Sequence, residues 1–380
     1  MLFVDDARSP VPPATLAVQG GFAWWYAELL DQDENGVVLI WSYGLPFLPG
    51  YTSAARKAKA KPAGERPSLN VAIYRNGKPC FYSLREFAAR DVRWDGEGHW
   101  VYGDTEITSV DHGDKRHLSI RLNLPVKASN TTLKGTVQFS GNIPNRHGDG
   151  QQPFPIPRSA HAWTPLVAPT LGRASLQWGG EDGLNLQGRV YHDRNWSKRG
   201  LHDLGIETWV WGRAAFANED RIFYLLFGEN DAPPVPVGFR LAKSGIFTLE
   251  KELTLELPQA RQTAWGMPDW SHITLRKRGR TWLHMKASEV VDHGPFYLRK
   301  LTTASGSRPE VARGSLEIIA PRRIDLNRHR PLVQMRVEND NRRNSMWLPL
   351  FQGEHDRKWS QLLQSLPGTL RRSLFRRGGR

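Results

Sequence analysis

The sequence predicts an all-β protein made of antiparallel barrels or sandwiches, with little helix. Three features carry that prediction. Short runs rich in aromatic and β-branched residues recur along most of the 380 residues, cut at close intervals by Gly, Asn, Asp and Pro. The turn pairs Asn35-Gly36, Asn76-Gly77 and Asp95-Gly96 join neighbouring runs as tight hairpins do. Long stretches with a 3.6-residue apolar period are nearly absent: Leu84–Ala89 reads as one helical turn and Trp359–Phe375 as a short C-terminal helix.

In chain order, the first strand-like runs are Phe22–Leu30, Val37–Tyr43, Ser68–Tyr74, Lys78–Ser83, Trp94–Trp100, Glu106–Val110, Leu118–Pro125 and Thr132–Phe139. Gly148–Pro157 is polar, proline-broken and aperiodic, and reads as the approach to a domain boundary. The rhythm resumes with Ala174–Gln177, Gly188–His192, Glu207–Phe216, Arg221–Phe227, Val237–Leu241, Glu250–Leu257, His272–Arg276, Thr281–Ala287, Phe296–Thr302 and Gly314–Ile319. Each half is about the size of one barrel, and the length suits two domains. The predicted organisation is a first unit over 1–157, a second over 158–320 and a basic extension over 321–380.

Composition narrows the function classes. With 39% hydrophobic and 24% charged residues the chain has ample material for a globular core. The single cysteine, Cys80, excludes an internal disulfide and a thiolate metal cluster, and reads as a small buried side chain in a protein of a reducing compartment. The N-terminus lacks the basic start and apolar run of a signal peptide, and no window reaches about 18 unbroken apolar residues, so a cytoplasmic protein is expected. The net charge of +14 gathers in Arg56 to Lys61, Arg276 to Arg280 and the stretch after Arg322. No helix-turn-helix, zinc-finger or RNA-binding signature accompanies it, so no nucleic-acid partner is expected. The tail from Trp359 to Arg377 mixes leucines with arginines and could make peripheral contact with an anionic membrane surface.

The densest chemistry lies in Gly188-Arg-Val-Tyr-His-Asp-Arg-Asn-Trp196. In an extended strand Tyr191, Asp193 and Asn195 point one way and His192, Arg194 and Trp196 the other. A carboxyl, a phenol and an amide on one inward face are the inventory of an acid-catalysis site; a structural ion pair gathers similar charges. Upstream, Trp24, Tyr26 and Glu28 share one strand face and Trp25 takes the other. Trp209 and Trp211 repeat the pattern, and Phe296 and Tyr297 follow a Gly-Pro turn. Rings lining a barrel interior stabilise a nearby cation by roughly 0.5–2 kcal/mol each. No phosphate-cradling Gly-rich loop, zinc helix, nucleophile elbow or trusted metal spacing is present, and chemistry without cofactor or metal is the economical expectation.

Four blocks, Trp24-Trp-Tyr26, Pro49-Gly-Tyr51 with Leu69–Tyr74, Gly188–Trp196 with Trp209–Arg213, and Pro295-Phe-Tyr297, resemble the carotenoid 1,2-hydratase (hydroxyneurosporene synthase) family and its lipocalin-like relatives, which include cofactor-free cyclases. The resemblance spans roughly residues 20 to 300. It implies two calycin-type, lipocalin-like β-barrels in tandem, and hydration of the terminal double bond of an acyclic carotenoid. Ser197-Lys-Arg199, Glu28 and the long basic segment Ala54–Pro67 depart from the family pattern and leave the substrate open.

Residue chemistry and resemblance converge on one expectation. A carboxyl held in an apolar hollow keeps its proton at neutral pH, so Asp193 is the expected proton donor to an isoprenoid alkene. Tyr191, Asn195, His192 and Arg194 are candidates to stabilise the anion it leaves. Trp24, Trp25, Tyr26, Glu28, Trp196, Trp209, Trp211, Phe296 and Tyr297 are the expected substrate pocket, with Tyr297 a candidate to position water. A terpenoid cyclase and a non-catalytic lipid carrier are the alternatives on the same scaffold.

Overall fold

The structure, a computed structural model, describes residues 2–96, 98–126, 130–146, 161–180, 183–228, 233–307, 310–330, 333 and 337–338. Its described residues form a 14-stranded sheet, a 10-stranded sheet and a small two-stranded ribbon. Pairing is antiparallel except at three short strands, Leu2–Phe3, Asn145–Arg146 and Val337–Glu338. The all-β expectation and its hairpins hold.

The strand Phe22–Leu30 shows why the two sheets stay together. All nine of its residues are buried, so both of its faces are covered. Trp25, Ala27 and Leu29 enter a core enclosed by the first sheet, with Trp41, Trp100 and Ile120. Trp24 and Tyr26, pointing the other way, enter a second core with Tyr191 of the same sheet and Trp209, Trp211 and Tyr224 of the other. The second sheet encloses a third core around Val210, Phe223, Leu283 and Ile318. Burying each such apolar side chain contributes about 1.5–3 kcal/mol, so the layer between the sheets is as well founded as either interior.

Strand pairing passes from the first sheet to the second between Ser197 and Ile206. Leu171–Gln177 and Leu184–Ser197 hydrogen-bond within the first sheet, to Thr131–Asn142 and Phe22–Leu30. Gly188 marks where the long strand Leu184–Ser197 crosses the end of Phe22–Leu30. A Cβ there would stand 2.6 Å from the Leu30 carbonyl oxygen, leaving no room for any other residue. The chain also returns: Val337–Glu338 lies parallel to Leu84–Arg85, and Asp325 accepts from the Gly50 and Ser53 amides of the first sheet's loop (2.6 and 3.1 Å).

Some expectations change. The run Trp94–Trp100 is a hairpin, Val92–Trp94 and His99–Tyr102, folded at Gly96 with φ +86°. Glu250–Leu257 likewise breaks into Ile246–Glu250 and Leu253–Glu256, with Glu252 left-handed. Leu84 continues the strand Lys78–Glu86 instead of starting a helical turn, paired with Asn70 of Pro67–Arg75 on one side and Val337 on the other. Helices occur instead at Pro13–Ala17 and Tyr51–Arg56, both too short for an apolar period to register. Cys80 is exposed, on the outward face of a strand whose burial alternates. The predicted helix Trp359–Phe375 lies outside the described residues. Among those residues, no helix is long and apolar enough to cross a membrane.

Candidate active site

A cavity of about 1230 Å³, mouth included, lies between the facing surfaces of the two sheets. The sequence placed such a ring-lined hollow inside a barrel. It lies outside both enclosed cores because the strand face carrying Trp24 and Tyr26 meets the second sheet. Strand register assembles its walls in rows. On the first sheet Asp193, Tyr26, Ile40, Asn70 and Leu84 are successive neighbours across five strands. Next to them runs the row Asn195, Trp24, Ser42, Ser68. On the second sheet one row is Tyr224, Trp211, Glu317, Arg299 and the next is Leu226, Trp209, Ile319, Tyr297. Phe296 and Phe47 stack at 6.5 Å over part of the same hollow.

Asp193 is buried and accepts three hydrogen bonds. Trp163 Nε1 and Tyr191 OH donate to Oδ2 at 2.8 and 2.7 Å, and Asn195 Nδ2 donates to Oδ1 at 3.1 Å. Burial pushes its pKa up to about 7; the Tyr191 and Trp163 donors oppose the shift, and the Glu317 and Glu28 carboxylates add to it. Behind Asn195, His161 Nε2 lies 2.9 Å from the amide oxygen. Burial lowers the His161 pKa to about 4, so the ring is neutral at pH 7 and donates from Nε2. That bond turns the Asn195 amide nitrogen toward Asp193.

A second polar cluster ties the sheets together. Arg299 of the second sheet, itself buried, donates to Glu28 Oε2 (2.7 Å), Tyr26 OH (2.5 Å) and Glu317 Oε1 (2.9 Å). Tyr26 OH in turn donates to Glu28 Oε2 (2.8 Å), and Ser315 Oγ donates to the same carboxylate. Arg213 sits between Asp220 (2.7 Å) and Glu28 (3.7 Å). Buried charges persist when paired in this way. The Glu28 pKa is accordingly lowered: burial raises it, but Arg299, Arg213 and the Tyr26 and Ser315 donors outweigh that.

The structure brings most of the sequence-predicted residues together. Trp24, Tyr26, Asp193, Asn195, Trp209, Trp211, Phe296 and Tyr297 all line the cavity. Tyr191 stands behind the Asp193 carboxyl with its ring 5.2 Å from Trp211, and Glu28 lies below Tyr26 in the ion-pair cluster. Three residues belong elsewhere. Trp25 packs on Trp41, Trp94 and Trp100 inside the first sheet. His192 stacks on Trp41 at 5.6 Å, bonds through Nδ1 to the Tyr26 carbonyl and has its pKa lowered by burial to about 3. Trp196 packs against that same core. Strand alternation sends all three away from Asp193, and Arg194 with them, to the carbonyls of Ser9 and Asp6. No local bend brings His192 or Arg194 to the carboxyl.

Sequence reasoning missed His161, Trp163 and Glu317 as members of this site. His161–Pro165 is a strand paired to Asp193–Ser197. Its alternating His-x-Trp was a usable signal, but it follows the proline-rich stretch read as a linker. Among the described residues no group of His, Cys, Asp and Glu could hold a metal ion.

A family model described as carotenoid hydratase CrtC matches residues 40–346. The hydroxyneurosporene dehydrogenase of Chlorobaculum tepidum is 25% identical over 346 residues, covering 80% of this chain and 84% of that protein. The acyclic carotenoid 1,2-hydratase of Thiocapsa roseopersicina is 25% identical over 271 residues, 65% of this chain and 61% of that one. Among solved structures, an AttH-type protein of Nitrosomonas europaea superposes with a TM-score of 0.51 at 15% identity, covering 82% of this chain and 99% of that one. This last likeness speaks for the lipocalin-like fold alone.

Proposed function

This chain belongs to the carotenoid hydratase CrtC family, and on that footing we propose that it adds water across the terminal C=C bond of an acyclic carotenoid, with Asp193 as the proton donor and no cofactor. The observation that carries the reading is the buried Asp193 carboxyl, with a pKa of about 7 and three donors on its oxygens, facing a ring-lined hollow. The isoprenoid substrate class comes from the family, and the apolar walls suit it. Proton donation is the chemistry such a carboxyl can do, which favours the hydratase in one relative's name over the dehydrogenase in the other's.

The steps follow from the groups present. Desolvation keeps Asp193 protonated near neutrality; the donors from Tyr191, Trp163 and Asn195 hold the carboxylate left when the proton goes to the alkene. An acid whose pKa sits near the working pH transfers protons most efficiently. The resulting tertiary cation lies among the faces of Trp24, Tyr26, Trp209 and Trp211, each ring worth roughly 0.5–2 kcal/mol. Water then closes the reaction. The same reading has the lipid-soluble substrate handed over at a membrane surface, with the leucine- and arginine-rich stretch 359–377 as the contact.

Incubation with an acyclic carotenoid in ¹⁸O-water tests the reading. An adduct carrying the label is expected; an isomer of unchanged mass would point to a cyclase, and tight binding without turnover to a carrier. The pH profile is a separate expectation. The protonated form of Asp193 is the active one, so the rate should fall tenfold per unit above about pH 7. A rate that climbs through pH 8 would remove Asp193 as the acid.

A further inference from the structure

The hydration reading leaves the attacking water without a base, and two carboxyls besides Asp193 line the same cavity, Glu317 and Asp292. Three carboxylates besides Asp193 lie in the polar cluster between the sheets. Glu28 and Asp220 are sealed, with side chains 2% exposed and their oxygens taken by arginines and hydroxyls. Glu317 differs. Its side chain is 12% exposed, it lines the cavity, and it stands on the second sheet beside Trp211 and Arg299, across the hollow from Asp193.

We infer that Glu317 is the base that takes the proton of the water added to the cation, with Arg299 and Tyr297 holding it in place. Arg299 Nη1 fixes Oε1 at 2.9 Å, and the Tyr297 phenol stands close enough to this carboxylate to lower its pKa. Burial makes Glu317 a stronger base than an ordinary glutamate, although the Arg299 charge opposes the effect. The inference rests on the hydration reading and completes its atom balance. The π pair of the alkene forms the new C–H bond with the Asp193 proton. A lone pair of water forms the C–O bond at the tertiary carbon, and the O–H bond that breaks passes its proton to Glu317. Each turnover leaves Asp193 ionised and Glu317 protonated, so one proton returns through solvent before the next. Acid and base sit on separate sheets, so the two halves of the reaction are separable by mutation.

The test uses the full chain and lycopene as probe, in D₂O, following both hydration and deuterium in recovered alkene. A cation that forms but is not captured loses hydrogen again, and some returns leave deuterium behind. In Glu317→Gln, hydration is expected to fall about a hundred- to ten-thousand-fold while deuterium still enters the alkene. That wash-in is itself a check that the cavity is folded. Asp193→Asn should lose both signals. Tyr297→Phe, which keeps every charge, should lower hydration by about tenfold, the order of one hydrogen bond, with wash-in retained. Full hydration in Glu317→Gln or Tyr297→Phe would overturn the inference. So would loss of both signals in Glu317→Gln, or the wash-in-only behaviour appearing in Asp292→Asn instead. A wild-type protein that neither hydrates nor exchanges would overturn the hydration reading and this inference with it.

Discussion

Asp193→Asn is expected to lower hydration about a hundred- to ten-thousand-fold, the usual cost of losing a general acid, while the fold persists. The amide is nearly isosteric and still offers an oxygen to the Trp163 and Tyr191 donors that now meet Oδ2, with its nitrogen then facing the Asn195 amide. Stability should move the other way. The Asp193 pKa is about 7 in the folded chain against the ordinary 3.8, so the unfolded chain gives up this proton first. The group's contribution to stability is therefore complete below about pH 4, is lost as pH rises towards about 7, and changes little beyond. The loss is on the order of 4 kcal/mol, from 1.36 kcal/mol per pKa unit. Asparagine carries no such loss. Urea unfolding at pH 8 should find the variant more resistant than the parent, with the gap closing at pH 4. A variant both inactive and less stable at pH 8 would mean that Asp193 is a structural anion. Gained stability with lost activity is the pattern of a group held in an unfavourable state for chemistry.

The same geometry shows what a sequence can and cannot disclose here. Period-two alternation separated Tyr191, Asp193 and Asn195 from His192, Arg194 and Trp196, and the pairing of Leu184–Ser197 with Phe22–Leu30 keeps that division. Alternation could not say which set faced the cavity, because both faces of these strands are buried and both carry rings. Trp25 and Trp24 look alike until one is found on Trp41 and the other opposite the second sheet. Reading each unit as a closed barrel also hid the apolar layer between the two sheets, where the site lies. Glu317 has no motif around it; only the register that sets it beside Arg299 and Trp211 gives it meaning. Where strands end was the least legible part, as at Glu250–Leu257, since a left-handed Glu252 is not a residue that announces a turn.

Arg299→Met is expected to be the most destabilising single change in the polar cluster, by about 3–5 kcal/mol. The guanidinium is buried with side-chain exposure of 3%, and it serves Glu28, Glu317 and Tyr26 together. Removing it leaves a sealed Glu28 facing only the longer contact to Arg213 at 3.7 Å, the Ser315 hydroxyl and the Tyr26 phenol. An unpaired buried carboxylate costs far more than the pair itself contributes, because desolvation is no longer offset. The double change Arg299→Met with Glu28→Gln should then recover much of the loss, although neither ion pair returns. Denaturant titration of the two single variants and the double measures that coupling. Glu28 belongs to the first sheet and Arg299 to the second, so the loss should fall on the layer between the sheets that forms the cavity. Substrate affinity should weaken at denaturant concentrations where the first sheet's Trp25–Trp41–Trp100 core is still intact by tryptophan fluorescence. Additive losses in the double variant would show that Arg299 stabilises the protein by packing instead of by neutralising Glu28.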